Sequence, residues 1–150
     1  RVPFYETPED RAQERSVGRH LSKAWDVDIW SFTPHTTTGD LLLGRENELK
    51  AICEVKTRNN PIAQYETYII SRNKLERISQ AAETFNTKGL LVVRFDDCLR
   101  WHDAQAALDY PTEVGGRYDR GDHNDIELMV HIPIEKLRKV KNGDYKRSTY

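Results

Sequence analysis

The 150-residue sequence has little cysteine, almost no net charge and no long apolar run. Its two cysteines, Cys53 and Cys98, are too few for a structural zinc site, and no histidine pair stands at ligand spacing beside them. Each sits in an apolar, strand-like stretch. A disulfide between them is one reading; buried free thiols in a cytoplasmic protein are the plainer one. No stretch approaches the roughly twenty apolar residues that span a bilayer, and no secretory leader is visible, so no membrane partner is expected. The formal net charge of −1 gives no whole-molecule attraction to nucleic acid, so any basic surface must be a local patch. Internal repeats, low-complexity tracts and dividing linkers are also missing. What is present, 37% hydrophobic and 31% charged residues, suits a single globular domain, residues 1–150, with a proper core.

Thr7-Pro8-Glu9-Asp10 predicts a helix start: Thr7 caps, Pro8 suits the first position, and the acids favour the positive dipole end. The helix should run to about Ala24, with Val17, Gly18, Leu21 and Trp25 on its apolar face. Glu14 falls on that same face by its spacing. Val27, Ile29 and residues 30–32 predict a strand, residues 34–39 a polar loop, 40–44 a short strand, 45–48 a turn and 49–58 a longer strand. Residues 59–61 break it, and 64–70 read as a strand or an extended lead-in. Ser71 caps a second helix running to about Asn86, with Leu75, Ile78, Ala82 and Phe85 as its stripe. Residues 89–95 are apolar enough for a sheet centre. Residues 98–102 predict a further strand and 104–108 one or two helical turns. Residues 111–125, rich in Gly, Asp, Arg and His, read as a mobile loop. Residues 126–132 predict the last strand and Pro133 opens a short helix over 134–140. Residues 139–150 read as a solvated basic tail, flexible over 141–150.

The chemistry lies in the hairpin. Pairing Gly44 with Lys50 around a five-residue turn sets Asp40 opposite Glu54, Leu41 beside Cys53 and Leu43 beside Ala51, which keeps one face apolar. Glu54 and Lys56 are two apart and share the other face. Two carboxylates at short range repel. A divalent cation resolves that conflict, and oxygen ligands of this kind suit Mg²⁺ or its substitute Mn²⁺. The backbone carbonyl of Val55 offers a third ligand. Such an ion would activate water and stabilise phosphoryl charge, with Lys56 orienting the attacking water. Arg58, at the strand end, is placed for a phosphate contact.

Gly39-Asp40 followed by Glu54-Val55-Lys56, with a helix before and a helix after, resembles the PD-(D/E)xK nuclease superfamily over roughly residues 7–95. The resemblance implies an α/β, restriction-endonuclease-like fold: a mixed central sheet flanked by helices. It makes Asp40 and Glu54 the metal ligands and Lys56 the catalytic lysine. It places a glutamate on the first helix pointing at the metals, which Glu14 matches. Gly39 stands where the family has a proline, a structural position. A basic or amide residue on the helix after the ExK strand corresponds to Lys74, with Ser71 and Arg72 as phosphate contacts at a helix N-terminus.

The function implied is metal-dependent hydrolysis of DNA phosphodiester bonds by an endonuclease. It would be structure-specific, like a Holliday junction resolvase, or of phage or homing type. A homodimer would place two sites on two strands. An exonuclease of the same fold and a non-catalytic DNA-binding module are the alternatives, and an intact Asp40, Glu54 and Lys56 set argues against the second. An ExK tripeptide alone is a weak signal, since alternating charges usually mark a solvated strand face. In Trp101-His102-Asp103, Trp101 reads as packing and His102 as ordinary surface. His20, His35, His123 and His131 share no ligand spacing. Tyr65 and Tyr68 read as strand packing rather than base-stacking groups.

Overall fold

A computed structural model describes residues 8–31, 40–116 and 126–145. The first helix, α1 (Pro8–Trp25), agrees with the expected span; the Thr7 cap lies outside the described residues. Three strands follow: β1 (Asp28–Trp30), β2 (Leu41–Arg45) and β3 (Glu48–Thr57). Phe32, His35 and the expected loop over 34–39 lie outside the described residues. The hairpin keeps the expected register over its working half, with Leu41 opposite Cys53 and Leu43 opposite Ala51. Its far end is tighter than expected. Gly44 pairs with Leu49, not Lys50, and a two-residue turn joins Arg45 to Glu48. Both turn residues, Glu46 and Asn47, have positive φ (53° and 63°), the turn whose twist matches paired strands. A bulge at Lys50 absorbs the extra residue.

Beyond β3 lies a 3₁₀ turn (Ile62–Gln64), then β4 (Thr67–Ser71), α2 (Arg72–Thr84), β5 (Lys88–Arg94), β6 (Cys98–Asp103) and the single turn α3 (Ala104–Ala107). Tyr65 precedes β4 and is exposed, so it does not pack in a strand. Phe85 caps α2 and is exposed, which removes it from the apolar stripe; Leu75, Ile78 and Ala82 are buried as expected. Part of the expected loop 111–125 is a strand, β7 (Thr112–Gly116), paired with β8 (Ile126–Pro133). Residues 117–125, with His123, lie outside the described residues. β8 is not the last strand. After a 3₁₀ turn (Ile134–Lys136), β9 (Arg138–Asp144) replaces both the expected helix and the start of the expected tail. Residues 146–150 of that tail are outside the described residues.

β1-β2-β3-β5-β6-β9 form a six-stranded sheet, and β4-β8-β7 a smaller one. β3 and β5 are parallel; the other pairs are antiparallel, so the main sheet is mixed. Val17 and Leu21 of α1 cover the face that carries Ala51, Cys53 and Val55. Leu75 and Ile78 of α2, with Tyr68 and Val130 of the smaller sheet, cover the face that carries Ile52, Leu91 and Val93. Two covered faces bury Ala51 through Val55 without interruption. Both cysteines are buried free thiols. Burial pushes the Cys53 thiol pKa strongly up and that of Cys98 to about 12, so neither is a nucleophile near neutral pH. No helix among the described residues is long and apolar enough to cross a membrane.

Candidate active site

β3 carries Glu54 and Lys56 on one face by simple alternation. β2 enters beside it, and Asp40 stands just before β2 begins. The Asp40 amide donates to the Cys53 carbonyl at 2.8 Å, and the Val55 amide donates to Asp40 Oδ2 at 2.7 Å. The carboxylate is thus fixed against the backbone of the strand that bears Glu54 and Lys56. Glu54 is buried, and Lys56 Nζ lies 3.0 Å from its Oε1. Lys74, in the first turn of α2, brings a second ammonium to 3.7 Å from the same oxygen.

The electrostatics follow from that crowding. Burial pulls the Lys56 pKa down, but the Glu54 charge and hydrogen bond, helped by Tyr68 and Asp40, outweigh it, and the net shift is upward. Lys74 goes the other way. Burial and repulsion by Lys56 hold its pKa below the usual value, against the pull of Glu54 and Asp40. Both lysines therefore sense both carboxylates, as one cluster.

Tyr68 forms the wall of this cluster. It is buried, packs edge-on against Phe95, and supports the Arg58 guanidinium 4.8 Å above its ring centroid. Its role is packing, as expected, with the addition that it holds a site residue. Burial pushes its pKa up, against the Arg58 and Lys56 charges. Arg58 also donates to the carbonyls of Thr57 and Ile69 (3.3 and 3.2 Å), which anchors it at the strand end. Ser71 stands at the α2 N-terminus but makes no capping bond, contrary to expectation; its hydroxyl is buried without a hydrogen-bond partner among the described residues. Arg72 is engaged by Glu76 at 2.8 Å, one turn along.

Glu14 is buried on α1 as expected. No group of three or more His, Cys, Asp or Glu side chains placed to hold a metal occurs among the described residues. α1 packs on the Ala51–Cys53–Val55 face, and Glu54 lies on the other. His102 corrects a further expectation. It is buried, 2.9 Å from the Tyr110 hydroxyl and 2.8 Å from the Asp103 carbonyl, because α3 and Tyr110 fold back over β6. Trp101 is packing, edge-on to Trp25. His20 contacts the Lys141 carbonyl and His131 faces Glu113, which are separate places.

The main sheet, with helices on both faces, carries Asp40, Glu54 and Lys56 together beside its parallel strand pair. The chain belongs to the family described as "Phage putative PDDEXK endonuclease", whose model matches residues 1–140. No curated protein matches it. Among solved structures it is similar to Hjc, a Holliday junction resolvase from the archaeal hyperthermophile Archaeoglobus fulgidus. The identity is 16%, over 69% of this chain and 75% of that one, with a TM-score of 0.48.

Proposed function

We propose that this protein is a metal-dependent endonuclease that hydrolyses DNA phosphodiester bonds, with Asp40, Glu54 and Lys56 at its centre. The observation that carries the reading is the cluster itself: a family member whose Asp40 is locked onto the backbone of the strand bearing Glu54 and Lys56.

The donor set fits Mg²⁺. Lys56 and Lys74 both approach Glu54 Oε1. With Asp40 this gives two hard carboxylates, and Mg²⁺ takes one or two and keeps several waters. The Val55 carbonyl is the candidate third protein ligand. When bound, Mg²⁺ or Mn²⁺ supplies Lewis-acid stabilisation of phosphoryl charge.

The chain's own residues do the rest. Lys56, held protonated beside Glu54, orients the attacking water and offsets negative charge growing on the phosphoryl oxygens. Arg58 and Lys74 flank it as phosphate contacts, and Ser71 and Arg72 extend that surface at the α2 N-terminus. Glu14, buried on the first helix, is the further acid that the resemblance assigns to the metals. A homodimer that cuts both strands, and a phage-encoded setting inside the host cell, belong to the same reading.

The test compares the intact protein with Lys56→Ala on supercoiled plasmid and on a synthetic four-way junction, each with Mg²⁺, Mn²⁺ or EDTA. We expect metal-dependent nicking by the intact protein, reduced about 10²–10³-fold in the variant. The better substrate separates a junction-specific enzyme from a general one. No cleavage of either DNA would sink the proposal.

A further inference from the structure

The exposed side of α1 is almost purely cationic. Its described exposed residues are Arg11, Ala12, Arg15, Arg19 and Lys23. The four cations recur every fourth residue, which places them about 6 Å apart in a row roughly 18 Å long. None of the four has an ion-pair partner among the described residues.

An idle surface helix is not built this way. Like charges four apart destabilise a helix. Arg11/Arg15, Arg15/Arg19 and Arg19/Lys23 are all such pairs. The chain has 24 acids against 23 bases, so acids were available to interleave. Within α1, Glu9 and Asp10 stand before the row, and the one acid inside its span, Glu14, is buried. The row is also placed usefully. Ser16 of α1 accepts a hydrogen bond from Arg94 at 3.2 Å, and Arg94 pairs with Thr57, the residue after Lys56. This bond ties α1 to the strand pair that carries the active site, and the row itself lies on the solvent side of the helix.

We propose that Arg11, Arg15, Arg19 and Lys23 form a second DNA-binding surface, which grips the phosphate backbone of the duplex flanking the cut. The ligand class is a polyanion of regular spacing. One strand of duplex presents a charge about every 3.4 Å along the axis, so a row of this length spans several phosphates. The contacts are to backbone and carry no sequence preference. The proposal rests on the nuclease reading for its ligand, although its test does not require cleavage.

The experiment measures binding of two unrelated 30-base-pair duplexes in EDTA across a salt series, for the intact protein and for Arg15→Gln/Arg19→Gln. Glutamine matches arginine in helix propensity, and circular dichroism checks the fold. Removing one cation from a phosphate lowers the slope of log affinity against log salt by about 0.9. We expect a slope smaller by about 2 and affinity at least tenfold weaker at moderate salt, equally for both duplexes. An unchanged slope and affinity would overturn the proposal even if plasmid cleavage is intact, and so would failure of the intact protein to bind duplex. Weaker binding to vesicles containing phosphatidylserine, with DNA binding unchanged, would also overturn it and reassign the row to a membrane surface. A reduced slope in a protein that never cleaves DNA would uphold the proposal while removing the nuclease reading.

Discussion

At the residue scale, Lys74 shows how the site stores cost for use. Burial and the neighbouring Lys56 hold its folded pKa below the unfolded value. Folding therefore disfavours its charged form, and stability falls as pH drops through the folded pKa. At pH 7 that cost is fully present. Lys74→Gln should raise the Tm at pH 7 by about 1 °C, a small gain because solvent screens a side chain that is nearly half exposed. The gain should shrink toward about pH 10.5, above which Lys74 is mostly neutral in both states. A difference in Tm that stays constant from pH 7 to 10 would contradict this. Legibility at this scale was good for spacing and poor for phase. Asp40, Glu54 and Lys56 came out of strand alternation and hairpin register, which are local rules. Glu14 followed helix periodicity to a buried face, but periodicity does not say which face of the sheet that helix will cover.

At the element scale, α2 must lie close to the sheet to deliver Lys74. Gly89 permits it: a Cβ there would stand 2.8 Å from Ile78 Cγ2 and 3.1 Å from the Ile78 carbonyl oxygen. The second contact is backbone and cannot swing aside. Gly89→Ala should cost about 1–3 kcal/mol and should weaken plasmid nicking more than Ala82→Gly of comparable stability cost, because it pushes α2 outward. Equal nicking by two variants of matched Tm would refute the coupling. Two strands escaped sequence reading for opposite reasons. β9 contributes only Val140 and Gly143 to the interior, so Arg138–Asp144 read as the end of a short helix and the start of a basic tail. Its order comes from tertiary pairing with β6, where Arg100 also reaches Asp144 at 2.5 Å. β7 is a glycine-bearing edge strand whose Val114 remains exposed, and its pairing with β8 outweighs weak propensity.

At the scale of the whole molecule, a net charge of −1 coexists with a local row of cations on the exposed side of α1. A bound ion should couple to global stability. At a hundredfold excess over its dissociation constant, Mg²⁺ would add about 2.7 kcal/mol, or roughly 5–10 °C in Tm for a chain of this size. Asp40→Asn should abolish most of that shift, and EDTA should reverse it. An equal Mg²⁺ shift in Asp40→Asn would place the ion elsewhere. The fold class was legible because apolar runs at the sheet centre and amphipathic helices are long signals. The smaller sheet was legible only in part: residues 126–132 read as a strand and 64–70 as one of two readings, but β4 pairs with β8 across more than fifty residues, as Tyr68 does with Ile132.

The bulge at Lys50 has a consequence for how such a protein can change over generations. It sits between the turn and the paired stretch Leu41–Leu43, so the two halves of the hairpin are uncoupled in length. Descendants of this gene can lengthen, shorten or decorate the tip at Glu46 and Asn47 while Asp40 stays level with its partner strand. The hairpin tip is thus free to diversify, and the end that bears Asp40 and Glu54 inherits its alignment unchanged.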